Sequence, residues 1–335
     1  MTPPERTLGA SGLVVSRLGL GLAAIGRPAY INLGRAHDLP AARTPDALYR
    51  RTAELLDRAR TAGIRYLDVA RSYGRAEEFL ARWLAERDVA PGSVTVGSKW
   101  GYRYTAAWTL DAPVHEEKEL SHARFQTQLA ESRAHLGPYL GLYQIHSATA
   151  ESGSLEDATL LRALVAGHRE GAYRAVGLTL SGPASARALE LALAARVDGE
   201  RVFDTVQATF NCLEPSLAGP LARAHDAGVG VIAKEVFANG RLTDANTLPE
   251  DASFLHELRA AAAAQSCRID QLALAFVLAH PFVDVALSGA VTTAQLDSHT
   301  GALDVTLADH AQALLAAIAE PPERYWATRA RLPWS

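Results

Sequence analysis

Eight short apolar runs recur along the chain, near residues 15–21, 65–69, 94–98, 141–146, 174–178, 204–208, 229–233 and 283–288, and stretches with helical apolar period separate them. That alternation constrains the fold more than any other feature. A strand that must be followed by a helix before the next strand begins cannot return as a tight hairpin, so consecutive strands run parallel beneath a helical cover. Eight such units suffice to close an α/β cylinder, the (β/α)8 or TIM barrel. Ahead of the first run, Thr7-Leu8-Gly9-Ala10-Ser11-Gly12-Leu13-Val14-Val15 carries two turn glycines and reads as an N-terminal β-hairpin that plugs the barrel floor.

The helical stretches cover roughly 46–62, 76–85, 121–136, 155–170, 183–195, 215–227, 254–266 and 269–280. The first has a clear start signal, with Thr44 as N-cap and Pro45 in the first helical position. No charge block or low-complexity linker divides the chain, so a single domain over 1–335 is expected. With 48% hydrophobic residues, 21% charged residues and a formal charge of -4, the balance is that of a water-soluble globular protein without the basic field that nucleic acid requires. No run reaches the ~18 apolar residues of a membrane span, and the start Met1-Thr2-Pro3-Pro4 lacks an apolar leader. Cys212 and Cys267 form neither a disulfide framework nor a metal-ligand pattern. A soluble, cytoplasmic protein is expected.

Two segments are long for loops, about 22–43 and 100–120, and long loops in compact domains tend to be functional. Two tempting motifs fail. Gly19-Leu20-Gly21 opens like a dinucleotide fingerprint, but the third glycine is displaced to Gly26 and Pro28 stands where a helix should begin. His115-Glu116 begins like a zinc-protease helix, yet Glu119 occupies the place of the second histidine. No metal is expected.

Four residues of unlike chemistry follow strand-like runs: Asp68, Tyr73, Lys99 and His146. Each alone is readily structural, as a turn cap, a helix-start residue, a surface charge or a satisfied histidine. In a parallel barrel, however, all strand ends of one polarity face one mouth, so successive strands would deliver a carboxylate, a phenol, an ammonium and an imidazole to one place.

The segment Leu67-Asp68-Val69-Ala70-Arg71-Ser72-Tyr73-Gly74-Arg75-Ala76-Glu77 resembles the aspartate-to-tyrosine segment of the aldo-keto reductase family, and Lys99 and His146 complete that family's tetrad. The likeness extends from the hairpin at Leu8 to Ser288-Gly289-Ala290-Val291-Thr292. It implies a barrel that binds NAD(P)H and reduces an aldehyde or ketone by hydride transfer, or runs the reverse oxidation. In that scheme Tyr73 is the general acid, Lys99 favours its phenolate, Asp68 orients Lys99, and His146 binds the substrate carbonyl.

Cofactor contacts carried over from the resemblance begin with Gln207 and Thr179, placed to hold the nicotinamide carboxamide, although Leu180 stands where the family has an asparagine. Gly21 joins them at the end of the first strand. After the seventh strand the family often presents a stacking aromatic, whereas here Lys234-Glu235-Val236-Phe237-Ala238-Asn239-Gly240-Arg241 follows. A Lys234 ammonium beside oxidised nicotinamide is repulsive unless Glu235 compensates or the side chain points away. For the phosphate end the resemblance implies Phe237, Asn239, Gly240, Ser288, Gly289, Ala290, Thr292, Gln295 and His299. The usual basic residues for a 2′-phosphate are absent there, which favours NADH, while Arg241 either reaches that phosphate or is a solvent-facing loop charge.

For the substrate, a small carbonyl compound or a sugar, the aromatic candidates are Trp100 above all, with Tyr30, Tyr102, Tyr104 and Trp108, and with Tyr325, Trp326 and Trp334 in the tail. Two other readings stand beside the reductase: an NAD-linked aldose or polyol dehydrogenase with Tyr73 as base, and a cofactor-sensing or non-redox protein on the same barrel. The sequence is silent on oligomeric state.

Overall fold

Arg17 divides what the sequence presents as one strand over 15–21. A computed structural model describes residues 2–334, so that Met1 and Ser335, the ends of the expected domain, lie outside the described residues. In it Val14–Ser16 pairs antiparallel with Glu5–Thr7, and only Leu18–Gly21 enters the barrel. The division has a local cause: the Ser16 hydroxyl donates to the Leu18 carbonyl and accepts from the Arg65 amide, turning the chain from hairpin to barrel.

The barrel strands are β1 (Leu18–Gly21), β2 (Tyr66–Asp68), β3 (Thr95–Trp100), β4 (Leu140–Ala148), β5 (Ala175–Leu180), β6 (Thr205–Thr209), β7 (Gly230–Lys234) and β8 (Val285–Ser288). They close in chain order, every pair parallel, with β8 beside β1. Helices α1 (Pro45–Thr61), α2 (Ala76–Glu86), α3 (His122–Leu136), α4 (Ala158–Arg169), α5 (Ser185–Ala194) and α6 (Ala218–Asp226) follow β1 to β6 in turn. The Thr44 hydroxyl caps α1 through the Ala47 amide at 3.2 Å, as its sequence predicts. Two helices, α7 (Ala252–Ala264) and α8 (Ile269–Leu278), separate β7 from β8, and α9 (Thr293–Gly301), α10 (Asp309–Ala317) and α11 (Pro322–Arg331) complete the chain.

Because side chains alternate along a strand, every second residue points into the cylinder. The interior is graded. At the floor Tyr66, Leu142, Ala175, Ile232 and Val285 form a dry cluster with Leu8, Leu13 and Val15 of the hairpin. At the other end Asp68, Lys99, His146, Thr179, Gln207 and Lys234 all lie at or near strand C-termini. Gly9 sits at φ +51, and a Cβ there would come within 2.2 Å of the Gly230 amide nitrogen, so only glycine lets the hairpin seat this deeply. Gly19 belongs to the same packing, for a Cβ would strike Tyr66 and Val285 at 2.9 Å. The false fingerprint is thus a barrel-packing glycine. No helix among the described residues is long and apolar enough to cross a membrane.

Candidate active site

β2 and β3 are neighbours, which sets Asp68 beside Lys99, both buried. The Lys99 ammonium donates to Asp68 Oδ1 and, at 2.9 Å, to the Val69 carbonyl. Asp68 Oδ2 accepts from Gln207 Nε2 at 2.8 Å and from the Tyr66 hydroxyl at 3.3 Å. A buried carboxylate held by three donors stays fixed in place. Burial pushes the Lys99 ammonium below its usual value and Asp68 opposes that shift.

Tyr73 follows β2 in a tight turn whose amide bonds to the Ala70 carbonyl at 3.1 Å. Lys99 Nζ stands 4.7 Å from the phenol ring centroid, and the His146 ring meets Tyr73 edge to face at 5.5 Å. Burial, and after it Asp68, raises the Tyr73 phenol well above its ordinary value. His146 lies where β4 breaks register with β5, beside Ser147 at φ +54, and its ring faces the mouth. Burial lowers its pKa well below the imidazole norm, and Lys99, Lys234, Arg27 and Lys118 lower it further, so it is neutral at neutral pH. Nδ1 lies 3.5 Å from the Ser72 hydroxyl, which leaves Nε2 for a ligand oxygen.

Asp68, Tyr73 and His146 line one cleft of about 790 Å³, with Lys99 just behind the wall. The cleft extends from this cluster past Gly21, Thr179, Gln207 and Lys234 to Phe237, Asn239, Gly240, Ser288, Gly289, Thr292, Gln295 and His299. Its far end meets the N-terminus of α9, where Thr292 and Gln295 form a capping box. A dinucleotide fits these residues: an elongated cleft joins the polar cluster to a helix N-terminus suited to phosphate. Two buried acceptors on its wall, Asn239 Oδ1 and Ser298 Oγ, have no protein partner.

Several expected contacts are corrected. Arg241 is neither a phosphate ligand nor a loop charge: it is 2% exposed and held by Asp251 at 2.7 and 2.8 Å and by Glu320 at 2.8 and 2.9 Å. Trp100 is fully buried against Phe125, ring centroids 5.2 Å apart, because its position on β3 points outward beneath α3. Trp108 turns away, donating to the Arg43 carbonyl at 2.8 Å and packing on Phe79. Ala290 is buried behind the wall. Tyr30 and Tyr102 do line the cleft, Tyr102 with its ring 4.9 Å from His146.

Lys234 and Glu235, paired already in the sequence, gain partners from distant segments. Lys234 donates to the Thr209 hydroxyl at 2.9 Å and lies 3.8 Å from Glu235, which Arg329 of α11 grips at 2.9 and 3.0 Å. Burial brings Lys234 down to about 8; burial pushes the Glu235 carboxyl up, but Arg329 and Lys234 outweigh it and hold the group at about 2. On the first loop Arg27 pairs with Glu116 at 2.8 Å, and Trp334 stacks on His115 at 4.3 Å above them. At the far end Asp38, Asp244 and Asp270 face the cleft with one arginine, Arg268, which pairs with the last two. The one usable signal for Arg27 was the length of its loop; Arg329, Trp334 and the acidic residues of the far end reach the cleft only through folding.

A model of the aldo/keto reductase family matches residues 18–320. Among solved structures, the holo form of the aldo-keto reductase AKR11C1 from Bacillus halodurans superposes with a TM-score of 0.73 at 22% identity, over 95% of this chain and 97% of that one. A protein of Pseudomonas aeruginosa assigned to the aldo-keto reductases matches at 0.62 and 23% identity, over 89% and 95%. At such identities these two likenesses concern the fold.

Proposed function

The chain belongs to the aldo/keto reductase family, NAD(P)H-dependent oxidoreductases of carbonyl compounds, and from that premise we propose that it interconverts a carbonyl and an alcohol with Tyr73 as the proton-exchanging group. The observation that carries this reading is the juxtaposition of the phenol with a buried ammonium 4.7 Å from its ring and an imidazole at 5.5 Å. When bound, the reduced nicotinamide supplies the hydride. Neutral His146 offers an N–H to the carbonyl oxygen and aligns it beneath the Tyr73 hydroxyl. Tyr73 gives its proton as the oxygen becomes an alkoxide, and Lys99, oriented by Asp68, steadies the phenolate left behind. In the reverse direction the phenolate takes the alcohol proton.

NADH is the preferred coenzyme in this reading. Three carboxylates on the cleft wall, of which Asp244 already engages Arg259 and Arg268, disfavour a 2′-phosphate, whereas a ribose hydroxyl pair can donate to Asp38 or Asp270. Arg241, committed to two buried carboxylates, has no part in that choice.

The sugar-oxidising alternative is favoured by a separate observation. The substrate end sets Glu116 and Glu235 among Arg27, Lys234 and Arg329, beside the rings of Tyr30, Tyr102 and Trp334. Paired acceptors and donors next to aromatic faces suit a polyhydroxylated substrate.

One experiment tests these points together: NADH and NADPH oxidation with mixed aldehydes, ketones and sugars, repeated for NAD reduction with the alcohols and cyclic sugars. Tyr73→Phe is expected to abolish turnover with NADH affinity, read by tryptophan fluorescence, nearly unchanged. Undiminished turnover by that variant would refute the assignment, and tight NADPH binding with negligible NADH binding would overturn the coenzyme preference.

A further inference from the structure

We infer that Arg27, a residue outside the Asp68–Tyr73–Lys99–His146 cluster, is a positioning residue that supplies the second cationic charge against which Tyr73 exchanges its proton. This rests on the reading of Tyr73 as the proton-exchanging group.

The loop that carries Arg27 and the turn that carries Tyr73 are tightly joined. A Cβ on Gly26 would lie 2.5 Å from both the Tyr73 carbonyl oxygen and Ala76 Cβ, and one on Gly74 would lie 2.5 Å from the Gly26 oxygen and 2.8 Å from Arg27 Cβ. Glycine at both positions, with Gly74 at φ +60, therefore lets the Arg27 backbone lie directly on the Tyr73 turn. Two hydrogen bonds fasten the contact, from the Arg75 amide to the Gly26 carbonyl at 2.8 Å and from Arg27 Nη1 to the Ser72 carbonyl at 3.2 Å. A second arginine braces the loop from behind. Buried Arg35 donates to the carbonyls of Ala24, Arg27 and Pro28 at 2.6, 2.7 and 3.0 Å.

Held this way, the Arg27 guanidinium is 2% exposed and stands 5.2 Å from the Tyr73 ring centroid, 5.1 Å from that of Tyr30 and 5.0 Å from Trp334. Its Nε has no hydrogen-bond partner. The guanidinium is held through Nη1 alone, by the Ser72 carbonyl and Glu116, and it keeps its charge against the face of the Tyr73 ring. A phenolate spreads negative charge over its ring, so a cation near the ring stabilises it even without touching the oxygen.

The other charges facing the phenol leave room for such a role. Lys99 on β3 is matched by contacting Asp68 on β2, His146 on β4 is neutral, Tyr30 is held protonated by burial, and Glu116 and Glu235 are unfavourable to a phenolate. Arg27, 5.2 Å from the ring against 4.7 Å for Lys99, lowers the phenol against the opposing effects of burial and Asp68. Glu116, 2.8 Å from the guanidinium, moderates it.

The test follows Tyr73 directly and does not depend on knowing the substrate. Chain labelled with carbon-13 at tyrosine Cζ and saturated with NAD is titrated with base, the Tyr73 resonance being the one lost in Tyr73→Phe. Removing the charge in Arg27→Met is expected to raise the ionisation midpoint by a unit or more, about a tenfold loss of phenolate at fixed pH. Arg27→Lys should stay near wild type, and Glu116→Gln should move the midpoint in the opposite direction. A midpoint unmoved in Arg27→Met overturns the inference, and if that variant does not fold, an unmoved or raised midpoint in Glu116→Gln does so. Turnover of 4-nitrobenzaldehyde with NADH by Tyr73→Phe separates the two levels: undiminished turnover removes the acid–base reading itself, whereas abolished turnover with an unmoved midpoint removes only Arg27.

Discussion

Glu235 shows how a single residue makes an otherwise adverse position workable. Two cations, Lys234 and Arg329, converge at the mouth on one buried carboxylate, which sits in left-handed backbone at φ +54 and accepts from both Arg329 and Thr209. The repulsion that sequence reasoning attaches to Lys234 is answered on the spot by the neighbour that same reasoning named. Glu235 is held at about 2, below its ordinary 4.5, so its stabilising effect is complete above about pH 4.5 and is lost as pH falls towards 2. Glu235→Gln leaves two cations uncompensated and should lower stability by roughly 3–5 kcal/mol at neutral pH. Denaturant unfolding across pH checks this: the deficit should shrink as pH approaches 2, and a deficit constant over that window would contradict the ion-pair account.

At the scale of elements, the sequence was legible wherever one strand or helix sufficed to fix an outcome. Seven of the eight barrel strands lie within a few residues of their apolar runs, and α1 begins at the residue its cap dictates. The first strand was misread because Val15, Leu18 and Leu20 are buried alike, although Val15 packs from the hairpin and Leu20 from the barrel. Trp100 failed for a related reason. An aromatic one residue past Lys99 lies on the opposite face of the strand, and the period of two sends it under α3. Arg241 could not be read locally at all, since its partners Asp251 and Glu320 stand 10 and 79 residues away. The hairpin carries a test of its own. Leu8 is fully buried in the floor cluster, far from the polar mouth, so Leu8→Ala should cost about 2–5 kcal/mol of stability while NADH affinity at a permissive temperature holds. Thermal unfolding and a coenzyme titration on the same sample separate those effects, and a collapse of affinity in the folded variant would show that the floor shapes the cleft.

For the molecule as a whole, three segments distant in sequence meet over the mouth: the loop after β1, the short ribbon of Tyr102–Tyr104 with Glu116–Lys118, and the tail beyond α11. Trp334 joins them. It forms a bridge with Ile31, stacks on His115 and lies against Tyr30 and the Arg27 guanidinium. The tail can reach this place because α11 is anchored first, by Tyr325 to Asn211 at 3.1 Å and by Arg329 to Glu235. Such an arrangement divides the labour of the cleft. On the proposed reading the dinucleotide end is built from β7, β8 and α9, whereas the substrate end is roofed by segments joined through the aromatic contacts of Trp334 and the Arg27–Glu116 pair. Trp334→Ala should therefore raise KM for the carbonyl or sugar substrate about tenfold, the scale of a lost aromatic contact of ~1–1.5 kcal/mol, and leave the NADH dissociation constant within a factor of two. Steady-state kinetics beside a fluorescence titration measure both. Equal losses in the two would mean that the tail holds the entire mouth together, and the separation between a coenzyme end and an independently roofed substrate end would have to be given up.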